Sequence, residues 1–459
     1  MAHILVEKPL KMIYLIHKGP IVLREVVVLL GLEIWHAVSE DTEDFRAISM
    51  PWDFDWRRMY MREKTIKHIL LVGSFPNAQR KYSLHYRTTL VSCVEELKFG
   101  IEGIKLSDQV LIHDLSKLSE LINKVEALHQ VDPFDGVLSF SDQGLIPAAT
   151  IADYLNIPGI ELKSVQKTCN KYIMRRSLDA NPRINVPYSL CKNPQEVREF
   201  FEQVNSSIVL KPLIGFGSRG VILVNSPDEI DNAFQYSISE SEARILAEKY
   251  INGIEFSVES FTYKGDHEIL AVTDKSNTGP PHFVGTFHSL PSVTPIELQE
   301  KIQEAVKDFL NCVGLTFGPA HTEVTVTEDG VKIIESQIRP GGRIYHMLEG
   351  ALGIDIFEMT VKKLFDENYV PKDGKGGAAI YFIQSEPGTV KEILGVEEVH
   401  RDRSVFDFSI RCKVGDKVEV WKNSSHRLGH VICTGATTEE AIEAAKKLGS
   451  KIKIITSRS

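Results

Sequence analysis

The stretch from His321 to Arg343, HTEVTVTEDGVKIIESQIRPGGR, constrains the fold of this chain more than any other. It reads as two strands joined by a tight turn. His321, Glu323, Thr325 and Thr327 alternate with Thr322, Val324 and Val326, the pattern of a half-buried strand. On the second strand Val331, Ile333, Glu335, Gln337 and Arg339 share a face. Two turn registers are open. A two-residue Asp329-Gly330 loop sets Glu323 opposite Ser336. A three-residue loop, with Gly330 left-handed and a bulge beside it, sets Glu323 opposite Glu335 and His321 opposite Gln337. Like charges directly opposite on a sheet repel. Their pairing makes chemical sense when a cation such as Mg²⁺ sits between them, and that favours the second register. Read alone, the segment is equally a solvated hairpin with scattered carboxylates.

A chain of 459 residues holds roughly two to four domains. Its composition, 43% apolar and 25% charged, is that of a soluble globular protein. The net charge of -9 argues against nucleic-acid or anionic-membrane partners, so any anionic ligand must be held by local basic groups. Six scattered cysteines form no CxxC pair, which indicates neither a zinc site nor a disulfide framework and fits a reducing cytoplasm. The apolar run Ile21 to Trp35 contains Arg24, Glu25 and Glu33, too short and too charged to span a bilayer. No signal-peptide pattern opens the chain.

Residues 1–66 carry no assignable chemistry. Trp52, Trp56 and Tyr60 lie in a charged stretch that reads as a surface helix. From residue 67 the pattern clears. His68 to Phe75 and Gly136 to Phe140 read as buried strands, Leu90 to Phe99, Leu115 to His129 and Leu145 to Leu155 as helices, and Gln109 to Ile112 as a short apolar run. Alternation of this kind predicts an α/β domain with a parallel sheet over 67–165. No GxGxxG follows a strand, which excludes a dinucleotide domain of the usual type. Asn170 to Leu178 reads as a helix with a basic face of Lys171, Arg175 and Arg176. Ser207 to Lys211 is a strand leading into LIGFGSRGV, whose glycines let backbone N–H groups approach phosphates. Ala243 to Tyr250 and Glu255 to Phe261 are strands. Asn277 to Pro291 is a long loop without secondary structure, and such loops are commonly functional. Leu298 to Val313 and Gly353 to Leu364 are helices. The tail, 376–459, reads as a separate α+β unit whose last helix opens with a capping box at Thr437.

Four features fall in one order: a helix carrying Lys171, a strand ending at Lys211 before a glycine loop, EKYINGIEFSVE at 248–259, and the carboxylate hairpin closing with Arg339. From about residue 68 onward the chain resembles the ATP-grasp superfamily of carboxylate–amine ligases. FVGTFHSLPS and the tail, GAAIYFIQSEPGTV with SHRLGHVICTGATTEEAIEAA, resemble the L-amino acid ligases, which make dipeptides, and more distantly biotin carboxylases. The fold implied is ATP-grasp: an N-terminal parallel-sheet domain, a core over 166–375 with a small ATP-binding subdomain at about 180–252, and a C-terminal α+β domain.

The resemblance implies roles. Lys171 and Lys211 contact ATP phosphates and hold the adenine side. Gly215, Gly217 and Ser218 form the phosphate loop. Glu248 and the backbone of Tyr250 and Ile251 bind adenine, and Glu255 binds the ribose hydroxyls. Glu323, Glu335 and Gln337 hold Mg²⁺, or Mn²⁺ in its place. Arg339 stabilises the phosphoryl group, and His288, a loop histidine, faces an amino-acid substrate. Gln337 departs from the asparagine many members carry, but keeps the amide oxygen. The implied reaction joins an amino-acid carboxylate to an amine through an acyl phosphate, in a cytoplasmic homodimer acting on small molecules. The competing expectations are another ATP-grasp reaction, such as a bicarbonate-dependent carboxylase or a purine-pathway ligase, and a nucleotide-binding regulatory protein without catalysis.

Overall fold

The computed structural model describes residues 66–457 apart from 98–101, 216 and 242. It also gives the backbone of three short strands, Lys11–Tyr14 (β1), Val26–Leu30 (β2) and Glu33–Ile34 (β3). Trp52, Trp56 and Tyr60 lie outside the described residues. The chain divides into two compact units, Met1–Leu162 with Leu364–Asp366, and Lys163–Lys363 with Glu367–Ser459. Among the described residues no helix is long and apolar enough to cross a membrane.

The first unit holds His68–Val72 (β4), Arg87–Ser92 (β5), Gln109–Ile112 (β6) and Gly136–Leu138 (β7). With β1 to β3 they form a seven-stranded sheet in the order β3-β2-β1-β6-β5-β4-β7. The pairs from β1 through β6 to β7 are parallel, and the pairs β1–β2 and β2–β3 are antiparallel, so β2 alone runs against the rest. Every residue of β4 is buried, as a strand covered on both faces requires. Helices Leu118–Val131 and Leu145–Leu155 bring Leu121, Val125, Ala148, Ile151 and Ala152 into that core. The helix expected from Leu90 is instead the end of β5, followed by a single helical turn, Val94–Leu97. Thr88, Thr89 and Val91 are β-branched, and the pleated surface suits them better than a helix.

The second unit contains two larger sheets. Tyr188–Cys191 (β8), Ile208–Pro212 (β9), Ile222–Val224 (β10) and Ile245–Lys249 (β11) form a small sheet in the order β10-β9-β11-β8. Helices Pro194–Val204 and Ile230–Ile238 cover it. The remaining strands are Ile254–Tyr263 (β12), Asp266–Asn277 (β13), Gly285–Leu290 (β14), Phe317–Thr327 (β15), Gly330–Gln337 (β16), Gly377–Phe382 (β17), Gly388–Leu394 (β18), Val405–Ile410 (β19), Lys417–Val418 (β20), Gly429–Gly435 (β21) and Lys453–Ser457 (β22). Eight of them make one antiparallel sheet, β16-β15-β12-β13-β14-β17-β21-β19.

Two expectations change here. The stretch Asn277 to Pro291 is not a structureless loop, because β14 occupies its second half and pairs with both β13 and β17. The Gly279-Pro280-Pro281 punctuation hides the strand, leaving only residues 278–284 as loop. For the same reason the tail is not a sheet apart. β17, β21 and β19 continue the sheet that carries the hairpin, and only β20-β18-β22 stands alone.

The hairpin keeps the favoured pairing but reaches it differently. His321 faces Gln337 and Glu323 faces Glu335. The turn is nevertheless tight, with Thr327 paired to Gly330, and the extra residue is Ile334, in a bulge between the Glu323 and Val324 pairs. Ile333 therefore turns to the core with Val324, both fully buried, while Glu335 and Gln337 turn to the other face with Glu323. The single face expected for Val331, Ile333, Glu335 and Gln337 is thus split in two. Apolar and polar halves of one strand need opposite environments, and the bulge supplies them.

Helix Lys171–Ser177 is short and depends on its cap. Asn170 accepts from the backbone N–H groups of Tyr172 and Ile173 at 3.0 and 3.1 Å. Asn170→Ala should lower stability by about 1 kcal/mol, and Asn170→Asp should preserve it, read from urea denaturation midpoints.

Candidate active site

Lys171 and Arg175 lie one helical turn apart and share a buried face, while Arg176 pairs with Asp179 at the surface. The Arg175 side chain is fully buried. It donates from Nε and Nη2 to the two oxygens of Glu248 at 2.7 and 3.1 Å. It also donates to the carbonyls of Ile333 and Ile334 at 2.7 and 3.1 Å. One guanidinium thus ties β11 of the small sheet to the bulge of the hairpin. Lys211 Nζ completes the cluster, 2.7 Å from Glu248 Oε2. Burial alone would raise the Glu248 carboxyl, but the Arg175 and Lys211 charges outweigh it and hold the group at about 2. The Glu248 carboxylate is thus held by two cations inside the protein, where it also positions Lys211.

Across the bulge the carboxylates carry cations of their own. Glu323 Oε1 is 2.6 Å from Lys275 Nζ and 3.5 Å from His321 Nε2. Glu335 Oε2 is 3.2 Å from Lys171 Nζ, and its Oε1 accepts from the Gln337 amide at 3.1 Å. The repulsion between the opposed glutamates is therefore offset by two lysines. Behind them Glu259 accepts from His321 Nδ1 at 2.5 Å and from the Gly341 backbone at 3.1 Å. Burial would lower His321, but Glu259 and Glu323 overcome it and lift the imidazole to about 9. Burial would also raise Glu323, yet Lys275 and His321 hold it well below the ordinary carboxylate range. A side chain at Gly341 would strike the His321 ring at 2.6 Å, which explains a glycine after Arg339-Pro340.

Among the described residues no group of three or more His, Cys, Asp or Glu can hold a metal by itself. Glu323, Glu335 and the Gln337 amide are nevertheless all hard oxygen donors. They suit an ion that takes few protein oxygens and fills its shell with phosphate and water, as Mg²⁺ does.

The remaining expected residues gather around this core. Lys171 Nζ donates to the Gly215 carbonyl at 2.9 Å, so it ties the glycine loop to Glu335. Gly217 and Ser218 both adopt positive φ, +67° and +62°, and the Gly217 carbonyl accepts from the Ser424 backbone at 3.0 Å. The Tyr250 N–H donates to the Ser207 carbonyl at 2.9 Å. The Tyr250 ring stacks on Phe283 at 5.7 Å. Glu255 accepts from Asn277 at 3.0 Å, and burial raises its carboxyl. Arg339 donates to the Pro340 carbonyl at 2.8 Å. His288 is on β14 rather than in a loop, opposite Lys275 and edge-on to Phe382 at 5.4 Å. Burial, then Lys275 and Arg427, push it well below its usual range, so it is neutral.

The sequence reading assigned no role to Lys275, Glu259 or Arg427, and placed Arg175 only on a basic face. Glu259 lies opposite His321 on β15, and Lys275 reaches Glu323 two strands away across β12, relations visible only once the strand order is known.

Comparison with known proteins identifies three domains in the chain. Residues 204–345 match the ATP-grasp domain, 101–159 the ATP-grasp N-terminal domain, and 380–457 the L-amino acid ligase C-terminal domain 2. The chain therefore carries an ATP-grasp domain with its N-terminal companion and is an ATP-dependent ligase. An L-arginine-specific L-amino acid ligase of Bacillus subtilis is 24% identical over 341 residues, 70% of this chain and 80% of that protein. An uncharacterized protein of Sinorhizobium fredii is 25% identical over 337 residues, 72% of this chain and 70% of that one. The crystal structure of an L-amino acid ligase from Bacillus licheniformis superposes with a TM-score of 0.72 at 22% identity. It covers 85% of this chain and 99% of the other, which establishes the fold.

Breaking a buried pair from one side costs about 3 to 5 kcal/mol, so Arg175→Met should destabilise the second unit by that order. Arg175→Lys should rescue only in part, because an ammonium cannot serve a carboxylate and two carbonyls in one plane. The Glu248 carboxyl lies below its ordinary 4.5 when folded, so its contribution is present above pH 4.5 and fades as pH falls towards 2. The stability gap between wild type and Glu248→Gln should shrink across that window in thermal melts.

Proposed function

We propose that this enzyme joins an amino-acid carboxylate to an amine, supplied by a second amino acid, through an acyl phosphate, releasing ADP and phosphate. The observation that carries this reading is the Glu323–Glu335 pair, with Gln337 beside it and Lys171 and Lys275 around it. Glu323, Glu335 and Gln337 hold Mg²⁺ or Mn²⁺. The ion, when bound, lowers the charge on the phosphates of ATP. Lys171 and Lys211 hold the phosphates, Gly215, Gly217 and Ser218 line them, the Tyr250 carbonyl and Ile251 N–H meet adenine, and Glu255 takes the ribose hydroxyls.

The chemistry balances without an enzyme nucleophile. A carboxylate oxygen of the substrate attacks the γ-phosphorus, and the bond from that phosphorus to the β,γ-bridging oxygen breaks, releasing ADP. Arg339 offsets charge on the group in transfer. The amine nitrogen then attacks the acyl carbon. Phosphate leaves with the former carboxylate oxygen, and the nitrogen gives up a proton. Water must be kept out between the two steps, because the acyl phosphate hydrolyses.

The test is phosphate release from Mg-ATP across single amino acids and pairs, with bicarbonate as a control. Release should require an amino acid and give ADP; release driven by bicarbonate alone would move the enzyme to another reaction class. Glu335→Gln should lower turnover by about a hundredfold or more while the fold survives, read by activity and circular dichroism. Full activity in that variant would overturn the assignment.

A further inference from the structure

On the same face of the eight-stranded sheet, beyond His288, lies a second cluster that the reaction as described leaves unused. Arg427 stacks its guanidinium on Phe382 at 3.8 Å and donates from Nε to the Gly285 carbonyl at 3.1 Å. Phe382 pairs with His430, and His430 with Ser409. Arg411, two residues past Ser409, donates its backbone N–H to the Leu428 carbonyl at 2.7 Å, which sets it beside Arg427. His430 Nε2 is 2.6 Å from Asp407, and His346 Nε2 is 3.9 Å from the same oxygen. His346 sits one turn into helix Ile344–Leu352, whose N-cap is Arg343. Arg343, Arg411 and Arg427 are thus gathered around one spot.

None of the three has a carboxylate within ion-pairing distance among the described residues. Lys171, Lys211, Lys275 and Arg175, whose side chains are buried, each have one, whereas Arg343 and Arg427 are half-buried without one and Arg411 is exposed. Nor is the chain short of acid, with 62 Asp and Glu against 53 Lys and Arg. The nearby Asp407 is committed to the two histidines. Burial first, and then the charge of Arg411, push Arg427 down to about 10.

Three further observations point to a ligand. A side chain at Gly285 would meet Arg427 Nη2 at 2.7 Å and the His288 ring at 3.0 Å, so the glycine keeps both groups in place. His288 is 6% exposed, yet its Nδ1 has no hydrogen-bond partner. Arg343 is held at φ +67°, a costly conformation for a residue with a side chain. Crowded unpaired arginines and a strained backbone weaken the fold, and such features cluster at binding sites.

We propose that Arg343, Arg411 and Arg427 form a subsite for a substrate carboxylate other than the one that is activated. The proposal rests on the ligase reading and adds a substrate class to it. Arginine takes a carboxylate through two parallel hydrogen bonds, and one guanidinium suffices for one carboxylate. Three of them fit an acidic substrate side chain, or the α-carboxylate of the amino acid that supplies the amine.

Two substrate pairs separate these sources. L-Glutamate and L-glutamine differ only in the side-chain carboxylate; L-alanine and L-alaninamide, offered as the amine, differ only in the α-carboxylate. The carboxylate member of at least one pair should have a kcat/KM at least tenfold higher, carried by KM. Arg343→Gln and Arg411→Gln should each bring that ratio below threefold, and Arg411→Lys should restore part of it. Equal use of both members in wild type, or a ratio that survives both substitutions, would overturn the proposal. Calorimetric binding of the same four compounds gives a readout apart from turnover. Carboxylate-dependent binding that Arg411→Gln abolishes supports the subsite even if no ADP forms, and its absence in wild type overturns the subsite even if the ligase reading stands.

Discussion

A fully buried guanidinium is stable only where every N–H has an acceptor and its charge is answered, and Arg175 meets both conditions with groups from distant parts of the chain. Glu248 comes from the small sheet. The two carbonyls come from the bulge that decides which way Glu335 faces. Removing any one partner leaves the charge under-satisfied in a low dielectric, so the three elements are held as a unit. Through Glu248 the arrangement reaches Lys211, and through helix Lys171–Ser177 it reaches Lys171. Both lysines proposed to meet phosphate, and the carboxylate proposed to hold metal, are thus set by one interaction that touches no substrate.

The charges around the hairpin follow a similar logic. Glu259, His321, Glu323 and Lys275 form an alternating chain of acid, imidazolium, acid and ammonium across three adjacent strands. Each charge lowers the cost of the next. Two carboxylates can therefore face each other with protein cations alone, and a metal adds to this balance rather than creating it. That corrects the premise from which opposed glutamates alone imply an ion, while leaving the donor chemistry suited to one.

Much of this was legible in the sequence. Periodicity marks β4, β6 and β7 of the first unit but not β5, and it marks the helix carrying Lys171 and both strands of the hairpin. The pairing of Glu323 with Glu335 followed from chemistry, although the bulge sits at Ile334 and not at the turn. A bulge of this kind depends on Arg175, more than 150 residues away, and no local pattern records it. β14 was missed because its flanking Gly and Pro residues resemble those of a loop, and its strand character comes from β13 and β17 on either side. The tail has the core of its own that was expected, but that β17, β21 and β19 also continue the central sheet is a long-range fact no local pattern records. The cations that hold Glu248 come from other elements and were hidden in the same way. The arginine cluster escaped for the same reason, since Arg343 and Arg427 are 84 residues apart along the chain, with Arg411 between them.

The central claim is that a substrate carboxylate is activated by phosphoryl transfer, and the oxygen atoms record it. A substrate amino acid labelled with ¹⁸O in its carboxylate, turned over with Mg-ATP and an amine, should deliver one labelled oxygen to the released phosphate, seen by mass spectrometry. Unlabelled phosphate, or label carried off in AMP with pyrophosphate as co-product, would contradict the account.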